Sequence, residues 1–140
     1  AAQGRTGKVS ARRIAVARRA GFISISGDDS IADGCARLSD AGADRVQAET
    51  LDRLFAGKTV DYLKMDIEGA DLDALEGGRE LLTRCRPVTA VAAYHTPGHV
   101  AAIAEFLQET LGPCRLYAAH DPNWVFHIHY IAVPHERALA

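Results

Sequence analysis

Cysteine is scarce in this chain and poorly spaced for chemistry. Cys35, Cys85 and Cys114 are odd in number, lie far apart and form no CxxC pair. That excludes a zinc knuckle and a thioredoxin-like redox motif, and leaves reduced structural thiols in a cytoplasmic protein as the expectation. No apolar run approaches the ~20 residues of a membrane span. The N-terminus also lacks the charged-then-apolar layout of a signal peptide, so no membrane partner is expected. An excess of positive charge is missing too: 16 Lys and Arg stand against 18 Asp and Glu, a net charge of -2. A chain built mainly to grip nucleic acid would be basic. The early cluster Arg12, Arg13, Arg18 and Arg19 is read as a solvated surface. The sequence opens Ala1-Ala2-Gln3 and its single methionine is Met65, which is expected of a fragment or a processed chain.

What is present suits one α/β domain over residues 1–140. Hydrophobic residues make up 48% of the 140, enough for a real core, and charged residues 24%. Short strands are predicted at 14–17 and 22–25 around an Arg18–Gly21 turn, a loop over 27–44, and a strand at 45–48. Thr50 suits an N-cap for a helix over 51–55 that Gly57 stops. Residues 59–66 form a nearly continuous apolar strand of the parallel-sheet type. A helix over 71–85 buries Leu72, Leu75, Gly78, Leu82 and Cys85. A strand at 87–94 is followed by a helix with Pro97 at its first position and a stripe through Val100, Ile103, Leu107 and Leu111. Strands at 114–119 and 125–133, joined by the turn His120–Asn123, close the chain.

The chemistry concentrates in Lys64-Met65-Asp66-Ile67-Glu68-Gly69-Ala70-Asp71. Lys64 and Asp66 share one strand face, and such charges are seldom buried without a partner or a role. Asp66 and Glu68 project from the carboxyl end of the strand, where ligands bind in open α/β sheets, and Gly69 permits a sharp turn. A structural alternative stands beside this reading. Glu68, Asp71 and Asp73 fit the electropositive start of a helix, and Lys64 could simply pair with Asp66.

This block, with Leu75-Glu76-Gly77-Gly78, resembles the K-[IM]-D-[VI]-E-G-A-[ED]…L-x-G-[AG] block of the FkbM family of S-adenosylmethionine-dependent methyltransferases. Thr50-Leu51-Asp52, Arg86-Pro87 and Tyr94-His95 resemble further family steps, as do Leu116-Tyr117 and the Trp124–Pro134 hairpin. The resemblance covers roughly residues 14–135. It implies the C-terminal part of a Rossmann-like class I methyltransferase sheet, truncated at its N-terminus and ending in an antiparallel hairpin. In that sheet residues 60–66 should have a strand partner on one side only, with 45–135 as the α/β core and 1–44 packed loosely. It further implies methyl transfer from S-adenosyl-L-methionine to a hydroxyl of a sugar or small metabolite, with Asp66 near the cofactor and Glu68 and His95 as base or substrate contacts. Two departures are plain. Ala93 stands where many members carry Glu, and no glycine-rich loop follows a strand, so this chain alone is expected not to hold the cofactor.

The histidines carry a rival reading. His95 and His99 are four apart, but Pro97 and Gly98 place His95 ahead of the helix, and His127 and His129 share a strand face. A zinc site would need three or four of them to converge. Without cysteine partners a half-buried histidine face is expected and no metal ligand is assigned. A non-catalytic methyltransferase-like interaction module and a small metal-binding protein remain the alternatives. A homo-oligomer is compatible with the sequence.

Overall fold

The computed structural model describes residues 8–26, 37–38, 44–120 and 127–138, with backbone alone for 25, 26, 37, 38 and 44. The first sheet consists of β1 (Ala15–Val16), β2 (Gly21–Ser26), β3 (Arg37–Leu38) and β4 (Asp44–Glu49) in the order β1-β4-β2-β3. The strands predicted at 14–17 and 22–25 therefore do not face each other. β4 lies between them, parallel to β1 and antiparallel to β2, with its Val46 and Ala48 buried. β1, β2 and β3 all come from the stretch 1–44, for which loose packing is the expectation. Most of the loop expected over 27–44, with Cys35, and the turn at 121–123 lie outside the described residues.

The second sheet positions the chemistry. It holds β5 (Tyr62–Met65), β6 (Val88–Ala92), β7 (Cys114–His120) and β8 (Ile128–Pro134) in the order β5-β6-β8-β7. β5 and β6 are parallel, whereas β8 runs antiparallel to β6 and β7. Within the described residues β5 pairs with β6 alone, as expected for 60–66. Leu63 opposite Thr89 and Met65 opposite Val91 point to the side where Leu75, Leu82, Ile103 and Leu107 pack. Each fully buried leucine contributes about 2 kcal/mol relative to exposure. Tyr62 and Lys64 point the other way and are exposed, because that face of β5 has no covering element among the described residues. Lys64 is thus not a buried strand charge, and among the described residues no ion pair joins it to Asp66.

Thr50 caps α1 (Leu51–Leu54) as expected, accepting from the Arg53 N–H at 3.2 Å. The helix read over 71–85 is two helices, α2 (Asp71–Glu76) and α3 (Arg79–Cys85), parted at Gly77-Gly78. Glycine is a poor helix residue, and here α1 presses against the break. Asp52 accepts from the N–H groups of Glu80 at 3.3 Å and Leu81 at 2.7 Å, and so caps α3 from another helix. The next helix, α4 (His99–Leu111), starts two residues later than Pro97. The Thr96 carbonyl accepts from the His99 N–H at 2.9 Å, which makes a turn before the helical ladder begins. No helix among the described residues is long and apolar enough to cross a membrane.

Arg86 fastens the end opposite the acidic block. It caps α3 in a left-handed conformation (φ 44°) and donates to the carbonyls of Leu111 and Pro113 and to Glu136. Glu136 belongs to a 3-10 turn at His135–Arg137, and the guanidinium lowers its carboxyl to about 2. A depressed carboxyl contributes stability above the ordinary value of about 4.3 and loses it as pH falls toward 2. Comparing urea midpoints of the wild type and Glu136→Gln should show a gap at pH 7 that closes between about 4.5 and 2. The gap is expected to be small, because the pair is exposed and screened. A gap constant with pH would contradict the assignment. Cys85 and Cys114 are free thiols, and burial, outweighing Arg86, pushes the Cys114 thiol up, in keeping with an inert structural cysteine.

Candidate functional site

Three strand ends meet at one edge of the second sheet. β5 and β6 are parallel, so the residues after them, Asp66–Glu68 and Ala93–His95, emerge side by side. β8 is antiparallel, so its beginning, with His127 just before it and His129 inside it, arrives at the same edge. The predicted residues Asp66, Glu68 and His95 do come together. His95 Nε2 lies 3.4 Å from Asp66 Oδ1 and 3.6 Å from Glu68 Oε2.

Asp71, read in the sequence as a helix-start charge, turns out to organise the cluster. It is fully buried, and its carboxylate folds back to accept from the N–H groups of Ile67 at 3.2 Å and Gly69 at 3.3 Å. Those bonds close a tight loop in which Glu68 has φ 56° and Gly69 φ 99°. A left-handed glutamate is strained by about 1–2 kcal/mol, and it persists because Asp71 holds both flanking amides. Gly69 packs close to His95 and Thr96, where an added Cβ would come within 3.6 Å and 3.4 Å. The second oxygen of Asp71 lies 3.3 Å from His95 Nδ1.

Tyr94 and His129 complete the surroundings, and sequence reasoning gave them no part in this cluster. The Tyr94 hydroxyl is 3.4 Å from Asp66 Oδ1, and its ring stacks on His127 at 4.2 Å and meets His129 edge-on at 5.5 Å. Burial, then the negative charge of Asp66, pushes the Tyr94 hydroxyl up, so it stays a neutral phenol at neutral pH. His129 Nε2 lies 3.6 Å from Asp66 Oδ2. The legible signal was the alternation of His127 and His129, but which strand end they reach depends on antiparallel pairing. His99 stays apart, at the start of α4.

A cleft of about 440 Å³ runs along the outer edge of β5, lined by Arg12, Val16, Leu51, Phe55, Leu63 and Ile67 among others. Ile67 links it to the acid–histidine cluster, since its N–H is held by Asp71. The arrangement offers carboxylates for a cation, an acid–imidazole pair for proton transfer, and an adjoining apolar recess of ligand size.

Comparison with known proteins bears on the family and the fold. The family model described as "Methyltransferase FkbM domain" matches residues 5–113. No curated protein matches the chain. Among solved structures, the chain is similar to a methyltransferase FkbM from Methylobacillus flagellatus KT, with a TM-score of 0.58 and 21% identity. The alignment covers 64% of this chain and 24% of that one, so the chain spans about a quarter of that protein's length.

Proposed function

Because the chain belongs to the methyltransferase FkbM domain family, we propose that it forms the acceptor side of an S-adenosylmethionine-dependent O-methyltransferase acting on a hydroxyl of a sugar or small metabolite. The observation that carries the reading is the meeting of Asp66, Glu68 and His95 at the carboxyl ends of two adjacent parallel strands. In this reading the order β5-β6-β8-β7 is one half of a Rossmann-like methyltransferase sheet. The residues present fit the cofactor in two respects. The recess has the volume of a small-molecule site, and Asp66 offers a carboxylate to a positively charged ligand. When bound, S-adenosylmethionine would be held beside Asp66 and would supply an electrophilic methyl group to the acceptor oxygen, its sulfur keeping the electron pair of the bond it gives up. Glu68 takes the proton of the acceptor hydroxyl, and His95, steadied by Asp71, orients the oxygen. Tyr94, held neutral, donates to Asp66 and keeps its carboxylate in place.

The test uses protein extended upstream to include a glycine-rich loop, assayed for labelled methyl transfer to a panel of sugars and hydroxylated metabolites. Asp66→Asn and Glu68→Gln are each expected to lower turnover by about 10²–10⁴-fold with little change in melting. If these carboxylates only complement a helix start, each loss would cost about 0.3–1 kcal/mol of stability and leave turnover intact. That outcome would overturn the reading.

A further inference from the structure

We propose that Asp66, Glu68 and His95 also form a binding site for one divalent cation of the Mn²⁺ or Zn²⁺ kind, with Asp71 as the residue that aims His95. One donor atom from each of the three lies within 4.8 Å of the other two. His95 Nε2 is 3.4 Å from Asp66 Oδ1 and 3.6 Å from Glu68 Oε2. Such ions bind nitrogen and oxygen at about 2.0–2.2 Å, which sets neighbouring ligands about 3–3.6 Å apart. The three side chains thus stand close to ligating geometry before any ion arrives.

His95 supplies the second observation. Its side chain is only 8% exposed, yet neither ring nitrogen makes a hydrogen bond. Buried polar atoms nearly always find a partner, so an orphaned imidazole calls for an explanation. Nε2 faces two carboxylate oxygens without bonding either, an arrangement that a positive species between them, a proton or a metal ion, would satisfy. On the far side of the ring, the buried Asp71 carboxylate lies 3.3 Å from Nδ1. A carboxylate behind the imidazole is where a ligating histidine usually finds its rear partner, and Asp71 stands at that place without bonding Nδ1 in the ion-free arrangement. One imidazole with two carboxylates suits Mn²⁺, Fe²⁺ or Zn²⁺ better than the all-oxygen preference of Ca²⁺. This set differs from the histidine group suggested by sequence spacing, since His127 and His129 pack on the Tyr94 ring.

The inference deepens the proposed function and rests on it only for the use of the ion. An open coordination position would take the acceptor's hydroxyl oxygen and make its proton easier to remove. Glu68, bound through one oxygen, would take that proton on the other.

The experiment needs no cofactor. The 140-residue chain, freed of metal by a chelator, is titrated calorimetrically with ZnCl₂ and with MnCl₂, and Co²⁺ absorption reports the ligand field. One ion per chain with micromolar or tighter affinity is expected. Asp66→Asn, Glu68→Gln and His95→Gln should each weaken binding by at least about 10-fold, and Asp71→Asn should do so while also changing the Co²⁺ spectrum. Asp73→Asn, exposed on α2, should bind like the wild type. Should a variant fail to fold by circular dichroism, Mn²⁺ broadening of wild-type amide signals still decides, with residues 66–71 and 95 expected to vanish first. No saturable binding up to roughly 1 mM overturns the proposal. So does binding that survives His95→Gln but is lost in His129→Gln. Metal binding without methyl transfer would sink the enzymatic reading alone, and methyl transfer by metal-free protein that binds no ion would sink this inference alone.

Discussion

Asp71→Ala is expected to lower the unfolding free energy by about 3 kcal/mol, a large share of the total for a small domain. The carboxylate is fully buried and accepts from the N–H groups of Ile67 and Gly69. Hydrogen bonds to a charged acceptor contribute about 1.5–3 kcal/mol each, and truncation leaves two amides without the partner they had. The left-handed Glu68 between them then loses what holds it, so its side chain should swing away from His95. Urea unfolding should show a lower midpoint with an unchanged slope, as befits a loss of stability without a change of mechanism. If Asp71 merely complemented the start of α2, the loss would stay below about 1 kcal/mol. A measured value in that range would mean that its carboxylate does not hold the loop.

Much of the site could be read from the sequence because its residues are local. Asp66, Glu68 and Gly69 follow a strand within four residues, and strand ends in α/β sheets are where charges acquire work. The role of Asp71 could not be read that way. Spacing puts an acid near a helix start, which a dipole explains equally well. Only the fold-back onto the amides of Ile67 and Gly69 tells the two apart. His129 joins Asp66 through the antiparallel placement of β8, a long-range pairing that no local pattern encodes, whereas Tyr94 reaches it from the end of the parallel β6. In the fold, the parallel β5–β6 pair and the closing hairpin were legible from the order of elements, the apolar run of 59–66 and the family resemblance. The order of the first sheet did not, since β1 and β2 both choose β4 over their sequence neighbour. Gly77-Gly78 reads as the interior of one long helix, because helical spacing continues across them. What breaks the helix is α1, whose Asp52 takes over the N–H groups that a continuous helix would have bonded internally.

That break leads to the second large effect, from Gly77→Ala. By helix propensity alone the change should stabilise, since alanine in place of glycine gains up to ~1 kcal/mol within a helix. The backbone at Gly77 has φ -71°, which any residue adopts, so conformational strain does not oppose it. Space does. A Cβ at Gly77 would lie 2.4 Å from the Ala17 carbonyl oxygen and 3.1 Å from the Arg18 Cα. Both are backbone atoms, and they cannot rotate away as a side chain would. Ala17 is fixed by its N–H bond to the Glu49 carbonyl at 3.0 Å, and Arg18 by its pair with Glu76 at 2.5 Å. Something must therefore separate, and the weakest joint is the two-residue strand β1 against β4. Overpacking of this kind costs about 1–3 kcal/mol and more where backbone must move, so a net loss of about 3 kcal/mol is expected. Gly57→Ala provides the contrast, because its φ of 68° is strained but nothing lies within 4 Å of the added carbon. It should cost only about 1 kcal/mol. Thermal unfolding of the two variants should rank them in that order, and amide exchange in Gly77→Ala should rise first at Val16 and Ala17. A Gly77→Ala protein as stable as the wild type would mean that β1 does not lie where α2 ends.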